Sequence, residues 1–153
     1  PQDQLVMLET NIDDMNPEIY EYVMEKAFEK GALDVFLTPV IMKKNRPGIL
    51  LSVLCEEKKR RALEEMIFRE TTTFGIRRYS VDRNTLERQF IHVRTKYGVV
   101  PFKAGKLKGE TLRYTPEYDI CRKIAMQYKR PIQEIYRELK EQLEEYLKQT
   151  HLR

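Results

Sequence analysis

The first half of the chain alternates short apolar runs with longer segments whose apolar residues recur every three to four positions. Between the short runs, helical periodicity covers residues 17–30 and 57–70, and Gly31 is placed to end the first helix. The resulting order, βαββαβ, is typical of a ferredoxin-like α+β sandwich with both helices on one face of an antiparallel sheet. The predicted strands are residues 5–13, 34–42, 49–55 and 76–82.

Individual residues indicate where the first helix begins and where two of the strands lie in the sheet. Asn16 and Pro17 fit the N-cap and the first position of the first helix. Pro39 cannot donate a ladder hydrogen bond, so its strand is expected at a sheet edge or at a bulge. Residues 49–55 are continuously apolar, as expected of a strand that is covered on both faces.

After Asn84 the pattern changes to two strands and two helices. Residues 86–95 and 99–107, separated by a short turn, predict a β-hairpin. Thr115 and Pro116 are predicted to cap and open the next helix. The pattern leaves open whether this part is a second lobe or an extension of the first sheet. The predicted division is a ferredoxin-like subdomain, 1–83, and a β-hairpin plus helical subdomain, 84–153.

The composition limits where in the cell the protein is expected and whether it contacts a membrane. Hydrophobic residues make up 41% of the 153 positions and charged residues 34%, with a net charge of +4. Without a membrane-spanning run or a signal peptide, the protein is expected to be cytoplasmic, with no membrane partner. Because the sequence begins with Pro1, we expect a processed chain or a piece of a longer one.

Metal chemistry of the zinc type is disfavoured by the residue counts. The chain has only two cysteines and two histidines, in no motif. Cys55 and Cys121 are expected to be buried thiols in a reducing compartment. Any bound metal is therefore expected to be hard and oxygen-ligated, such as Mg²⁺ or Mn²⁺. His92 is the one internal histidine, so a catalytic triad that uses histidine as the base is disfavoured.

Three polar clusters carry the candidate chemistry. They are an acidic turn with Asp13 and Asp14, a basic loop at 43–46, and a threonine- and arginine-rich segment at 71–78. Carboxylates can hold a divalent cation while arginine and backbone N–H groups bind phosphate, so the set suits a metal–triphosphate. Residues of these types are also common in solvent-exposed turns, so a turn that binds no ligand is the alternative interpretation of each cluster. The common phosphate-loop motifs are absent, and an RNA-binding aromatic motif is missing from 49–53, which argues against a nucleic-acid partner.

The predicted directions of the strands separate these clusters. If strands one and three run parallel to each other and antiparallel to two and four, the acidic turn and the 71–77 loop share one end of the sheet. The basic loop then lies at the opposite end. A ligand that contacts all three clusters would have to bridge two subunits.

The chain contains four distinctive runs: Glu9–Glu18, Gly31–Val35, Met42–Gly48 and Arg69–Arg77. Together they resemble the carboxy-terminal domain of the LarC nickel-insertion proteins. Weaker similarity continues through Lys103 and into the helix at 116–122. The resemblance implies a CTP-dependent nickel chelatase, or cyclometallase, that acts on a nickel-pincer nucleotide precursor in cofactor synthesis for lactate racemase.

The same resemblance implies partners and roles for residues. It implies CTP with Mg²⁺ or Mn²⁺, nickel as a substrate held by an amino-terminal domain outside this chain, and a homo-oligomer of trimers or hexamers. Asp13 and Asp14 would hold the divalent ion. The alternative is a non-catalytic ferredoxin-like module for oligomerisation or small-ligand regulation. The expected nucleotide- and phosphate-binding residues are Lys43, Lys44, Arg46, Thr71, Thr72, Thr73, Arg77 and Lys103.

Overall fold

A computed structural model describes residues 4–151 of the chain. The backbone forms two compact units that divide between Asn84 and Thr85. None of the helices in the described range is long and apolar enough to cross a membrane. The elements are β1 (Leu5–Ile12), α1 (Ile19–Glu29), β2 (Asp34–Met42), β3 (Arg46–Glu56), α2 (Arg60–Glu70), β4 (Arg77–Val81), β5 (Glu87–Thr95), β6 (Gly98–Leu107), β7 (Glu110–Pro116), α3 (Tyr118–Tyr128) and α4 (Ile132–His151).

The first unit is a four-stranded antiparallel sheet in the order β2-β3-β1-β4. Alternate residues of β1, such as Leu8, are buried against Val23 of α1 and Leu63 of α2. Both helices therefore pack on one face of the sheet, because successive side chains of β1 point to opposite faces and its buried residues lie on only one of them. The predicted ferredoxin-like fold class is confirmed.

The predicted positions of two strands are also confirmed. Pro39 lies in β2, which is an edge strand, and β3 is central and buried along its second half. Gly31 has a φ of +94° and ends α1 as predicted. The helix begins later than predicted, at Ile19, because residues 17–18 form a turn in which the Asn16 side chain accepts the Glu18 N–H at 3.1 Å.

The predicted strand directions were wrong. In the structure β1 and β3 are antiparallel, with Ile12 opposite Ile49. Each βαβ crossover joins strands that run in the same direction, and one strand of the other pair inserts between them. Consequently the last residues of β1 and β2 and the first residues of β3 and β4 lie at the same end of the strands. This end is called the upper end of the first sheet.

The second unit is a three-stranded antiparallel sheet, β5-β6-β7, with α3 and α4 against one face. Its core joins Phe102 of β6 to Cys121 of α3 and Leu139 of α4. The predicted hairpin is present, but the sequence pattern missed β7. Thr115 and Pro116 belong to that strand, and α3 begins only at Tyr118. The pairing of β6 with β7 is local, since Leu107 lies opposite Glu110 across a two-residue turn in which Lys108 and Gly109 both have positive φ. The sequence pattern indicated only a flexible exit from β6 at Gly109 and a helix start at Thr115 and Pro116, so this hairpin was missed.

A polar cluster in the second unit fixes its hairpin turn to α4. The Arg130 guanidinium donates to the Glu138 carboxylate at 2.7 Å, and Lys96 lies 2.9 Å from the same carboxylate. The Tyr97 hydroxyl also donates to Glu138. Hydrogen bonds from Arg130, Tyr97 and Lys96 lower the pKa of Glu138 to about 2.

Replacing Glu138 with glutamine is expected to lower the melting temperature at neutral pH. Because the folded-state pKa lies below the ordinary value, the carboxylate stabilises the fold above about pH 4.5 and this stabilisation is lost as pH falls toward about 2. The difference between wild type and Glu138→Gln should therefore shrink over that range in thermal melts. Glu144→Gln, at an exposed position of the same helix, is the control. An equal difference at every pH would contradict this account.

Candidate functional site

The acidic turn and the basic loop meet at the upper end of the first sheet. Asp13 follows β1 and Arg46 opens β3, and their side chains approach to 3.5 Å between Oδ2 and Nη1. The connection from β2 to β3 is tight, with Lys44 and Asn45 both in the left-handed region, at φ of +59° and +57°. Lys43 is exposed in the same turn. The predicted separation of these two clusters was wrong for the reason given above, so a ligand that contacts both need not bridge two subunits.

The threonine-rich loop is fixed to the same end by hydroxyl groups. Thr72 Oγ1 donates to Asp14 Oδ1 at 2.6 Å. The buried Thr10 hydroxyl lies 2.5 Å from the Thr73 hydroxyl and donates to the Gly75 carbonyl at 2.8 Å. The loop therefore has a defined position against β1. Thr71 instead donates to the Ile67 carbonyl at 2.7 Å and caps the end of α2.

Arg77 lies on the face of the sheet that the helices leave open. Its guanidinium donates to the Asn11 side-chain oxygen and lies 3.8 Å from a Glu9 oxygen. The Tyr79 hydroxyl donates to the same Glu9 carboxylate at 2.7 Å. Sequence reasoning missed Glu9 and Asn11 as neighbours of Arg77. Their alternation with buried Thr10 placed them on this face, but only the register of β1 with β4 brings them to Arg77.

A cavity of about 630 Å³ opens beside the acidic turn. Its walls come from the end of β1, the entry to α1 and the β2–β3 hairpin, and they are mainly apolar. Asp13 is the charged residue of its lining. Burial, with a smaller contribution from Asp14, raises the pKa of the Tyr20 phenol on its wall. The sequence did not predict this cavity because its walls are far apart along the chain. The wall residues include Ile12, Met15, Tyr20, Pro39, Ile41 and Pro47.

The donor set at this end fits a hard cation that is shared with a ligand. Within the described residues, no three His, Cys, Asp or Glu side chains are grouped to hold a metal. Asp13 and Asp14 each use one carboxylate oxygen for Arg46 and Thr72. Two carboxylates with an open surface suit Mg²⁺ or Mn²⁺, which keep water or phosphate oxygens in their coordination sphere. They do not suit a soft metal, which would need sulfur or imidazole ligands.

One predicted phosphate-binding residue, Lys103, belongs to the second unit. Lys103 is in β6 of the second unit, where its Nζ is 3.8 Å from a Glu117 oxygen. Lys103 is thus a residue of the second unit, and its predicted role in phosphate binding stays a prediction. Cys55 and Cys121 are buried and unpaired, as predicted. Burial raises the pKa of the Cys55 thiol to about 11, which keeps it protonated and unreactive at neutral pH.

The first unit is a ferredoxin-like sandwich, and a second α+β unit follows it in the chain. The chain belongs to the nickel insertion protein family, whose family model matches residues 1–136. The predicted resemblance to the carboxy-terminal domain of LarC is therefore confirmed.

Individual relatives agree with this assignment. The chain is 53% identical over 131 residues to the pyridinium-3,5-bisthiocarboxylic acid mononucleotide nickel insertion protein of Clostridium acetobutylicum, over 86% of this chain and 31% of that protein. The corresponding protein of Thermotoga petrophila is 45% identical over 86% of this chain and 33% of its own length. The chain thus spans about a third of the length of these curated relatives.

Two solved structures share the fold. One is apo LarC2, described as the C-terminal domain of a cyclometallase involved in the synthesis of the NPN cofactor of lactate racemase. It is 35% identical, with a TM-score of 0.87 over 93% of this chain and 98% of that chain. The other is protein MK0293 from Methanopyrus kandleri, 28% identical, with a TM-score of 0.66 over 86% of this chain and 81% of that chain.

Proposed function

We propose that this chain is the CTP- and divalent-metal-binding part of a nickel insertion protein. The whole protein would place nickel, its substrate, into pyridinium-3,5-bisthiocarboxylic acid mononucleotide, as the names of the relatives state for them. The trimeric or hexameric assembly remains a prediction of the resemblance. The observation that carries the proposal is the convergence of Asp13, Asp14, Arg46 and Arg77 at the upper end of the first sheet.

The charges of this end complement a metal-bound triphosphate. In the proposed complex Asp13 and Asp14 hold Mg²⁺ or Mn²⁺ through the oxygens that face solvent, and phosphate oxygens complete the coordination. Arg46 and Arg77 bind phosphate through their planar donor groups. The exposed Lys43 and the neighbouring Lys44 add positive charge, and Thr72 and Thr73 supply hydroxyl groups.

The apolar cavity beside Asp13 supports a place for the nucleoside. Its volume of about 630 Å³ falls within the range typical of small-molecule sites, and its walls are mainly apolar. A base in this cavity would lie next to the carboxylates that hold the metal. The apolar cavity would therefore bury the base, and the charged residues would bind the phosphates and their metal ion.

Calorimetric titration with CTP and Mn²⁺ tests the proposal. Wild type should bind CTP with Mn²⁺ and discriminate against ATP. Arg46→Ala or Arg77→Ala should weaken binding by about 1.5–3 kcal/mol, the usual contribution of a charged hydrogen bond. Arg61→Ala, an exposed arginine in the first turn of α2 at the opposite end of the sheet, is the matched control. The absence of heat with CTP, or equal heat with ATP, would overturn the proposal.

A further inference from the structure

The second sheet has one face that its helices do not cover. Along β5, Arg88 and Phe90 are exposed, whereas the neighbouring Val93 faces the helical core. The register places Gly105 of β6 opposite Arg88, and Arg113 of β7 opposite Gly105. Positive residues from two separate strands therefore flank one glycine on the uncovered face.

A cavity of about 250 Å³ lies at this glycine. Its lining includes three cationic residues, Arg88, Lys103 and Arg113, and no carboxylate. Leu86 closes one side so tightly that a Cβ added at Gly105 would lie 2.9 Å from its Cδ1. The Leu86 side chain therefore packs directly on the Gly105 backbone and forms one wall of the cavity, which a side chain at position 105 would displace.

The positive charges of the cavity are poorly balanced. Among the described residues, Arg88 and Arg113 form no hydrogen bond or ion pair, and Lys103 has only the Glu117 oxygen at 3.8 Å. Three cations around one cavity repel one another, and an anion between them would relieve that repulsion. Arg88 and Arg113 come from different strands, so their guanidinium groups can donate hydrogen bonds to different oxygens of one tetrahedral phosphate group.

An aromatic ring stands next to these cations. Phe90 pairs with Lys103 across β5 and β6, and half of its surface is exposed, at 50%. An exposed aromatic side chain beside phosphate-binding cations is how proteins stack a base while holding its phosphate. The absence of carboxylates from the cavity removes any place for a metal ion. Its small volume suits one phosphate group and not a metal-bound triphosphate.

We infer that the uncovered face of the second sheet binds a mononucleotide without a metal ion. The phosphate monoester lies among Arg88, Lys103 and Arg113, and the aromatic ring of the ligand stacks on Phe90. This site is separate in residues and in chemistry from the proposed CTP site, because it uses another unit and needs no divalent cation. It gives the chain a second ligand, of the chemical class to which a pyridinium mononucleotide belongs.

Titration of the full chain with nicotinic acid mononucleotide in the presence of EDTA tests the inference. Wild type should bind, and Arg88→Ala or Arg113→Ala should weaken the affinity by about 10- to 100-fold. Phe90→Ala should weaken binding of the mononucleotide but leave the affinity for ribose 5-phosphate unchanged, since that ligand has no ring to stack. Arg137→Ala, an exposed arginine on α4, is the control for loss of charge.

Several results would overturn the inference. They are no binding by wild type, equal binding by Arg88→Ala and Arg113→Ala, or loss of binding in Arg46→Ala and Arg77→Ala, which would place the ligand in the first unit. Tighter binding of a single-stranded oligonucleotide than of the mononucleotide would indicate a nucleic-acid surface instead. Failure of CTP to bind with Mn²⁺ would overturn only the proposed function.

Discussion

Replacing Gly48 with alanine is expected to lower the free energy of unfolding by about 1–3 kcal/mol, the usual cost of overpacking. An added Cβ would lie 2.5 Å from the Met42 sulfur and 2.8 Å from the Ile12 carbonyl oxygen. The methionine side chain can move, but the carbonyl belongs to the last residue of β1 and is fixed by its sheet. The added methyl group therefore displaces the strand end from which Asp13 continues.

Urea unfolding of the two variants Gly48→Ala and Gly75→Ala measures this effect. Gly75 is the matched control, since a Cβ there would meet no atom within 4 Å and its φ is not in the left-handed region. Gly75→Ala should stay within about 0.5 kcal/mol of wild type, as most surface substitutions do. Equal stability of the two variants would show that the upper end of the first sheet tolerates the added volume.

Replacing both Asp13 and Asp14 with asparagine is expected to abolish the effect of Mn²⁺ on CTP affinity. Asparagine keeps the shape and the hydrogen-bonding oxygen but removes the charge that a hard divalent cation requires. The loss should be at least the roughly 10- to 100-fold that substitutions in the outer shell of a metal site cost. Without metal, removal of two negative charges should leave binding of the triphosphate unchanged or slightly stronger.

Parallel titrations with and without Mn²⁺ separate the two effects. Asp82→Asn, at an exposed position just after the far end of β4, changes the charge without touching the upper end of the first sheet. It should respond to Mn²⁺ as wild type does. A double variant that still binds CTP more tightly with Mn²⁺ would remove Asp13 and Asp14 from the metal site.

Much of the fold follows from local sequence pattern. The alternation of β1, the apolar stripes of α1 and α2, and the unbroken apolar run of β3 are dictated by which side chains must leave water, and this requirement has a fixed period in each element. Gly31 and Pro39 likewise mark a helix end and an edge strand through backbone constraints of their own. These features needed no knowledge of distant contacts.

The candidate site was predictable only in part. The sequence pointed to Asp13, Asp14, Arg46 and Arg77 by residue type and by resemblance, and their roles remain predictions. It did not indicate Glu9 or Asn11 beside Arg77, nor the cavity whose walls come from three parts of the chain. It also missed β7, which pairs with β6 and completes the second sheet.

The sequence by itself determined the elements, their order and the residue types at their ends. The tertiary structure alone decided that β3 pairs antiparallel with β1, so that the acidic turn, the basic loop and the threonine-rich loop share one end of the sheet. The physical reason is that strand direction and register depend on hydrogen bonds between segments far apart in the chain, whereas the hydrophobic period of each strand is the same in either direction.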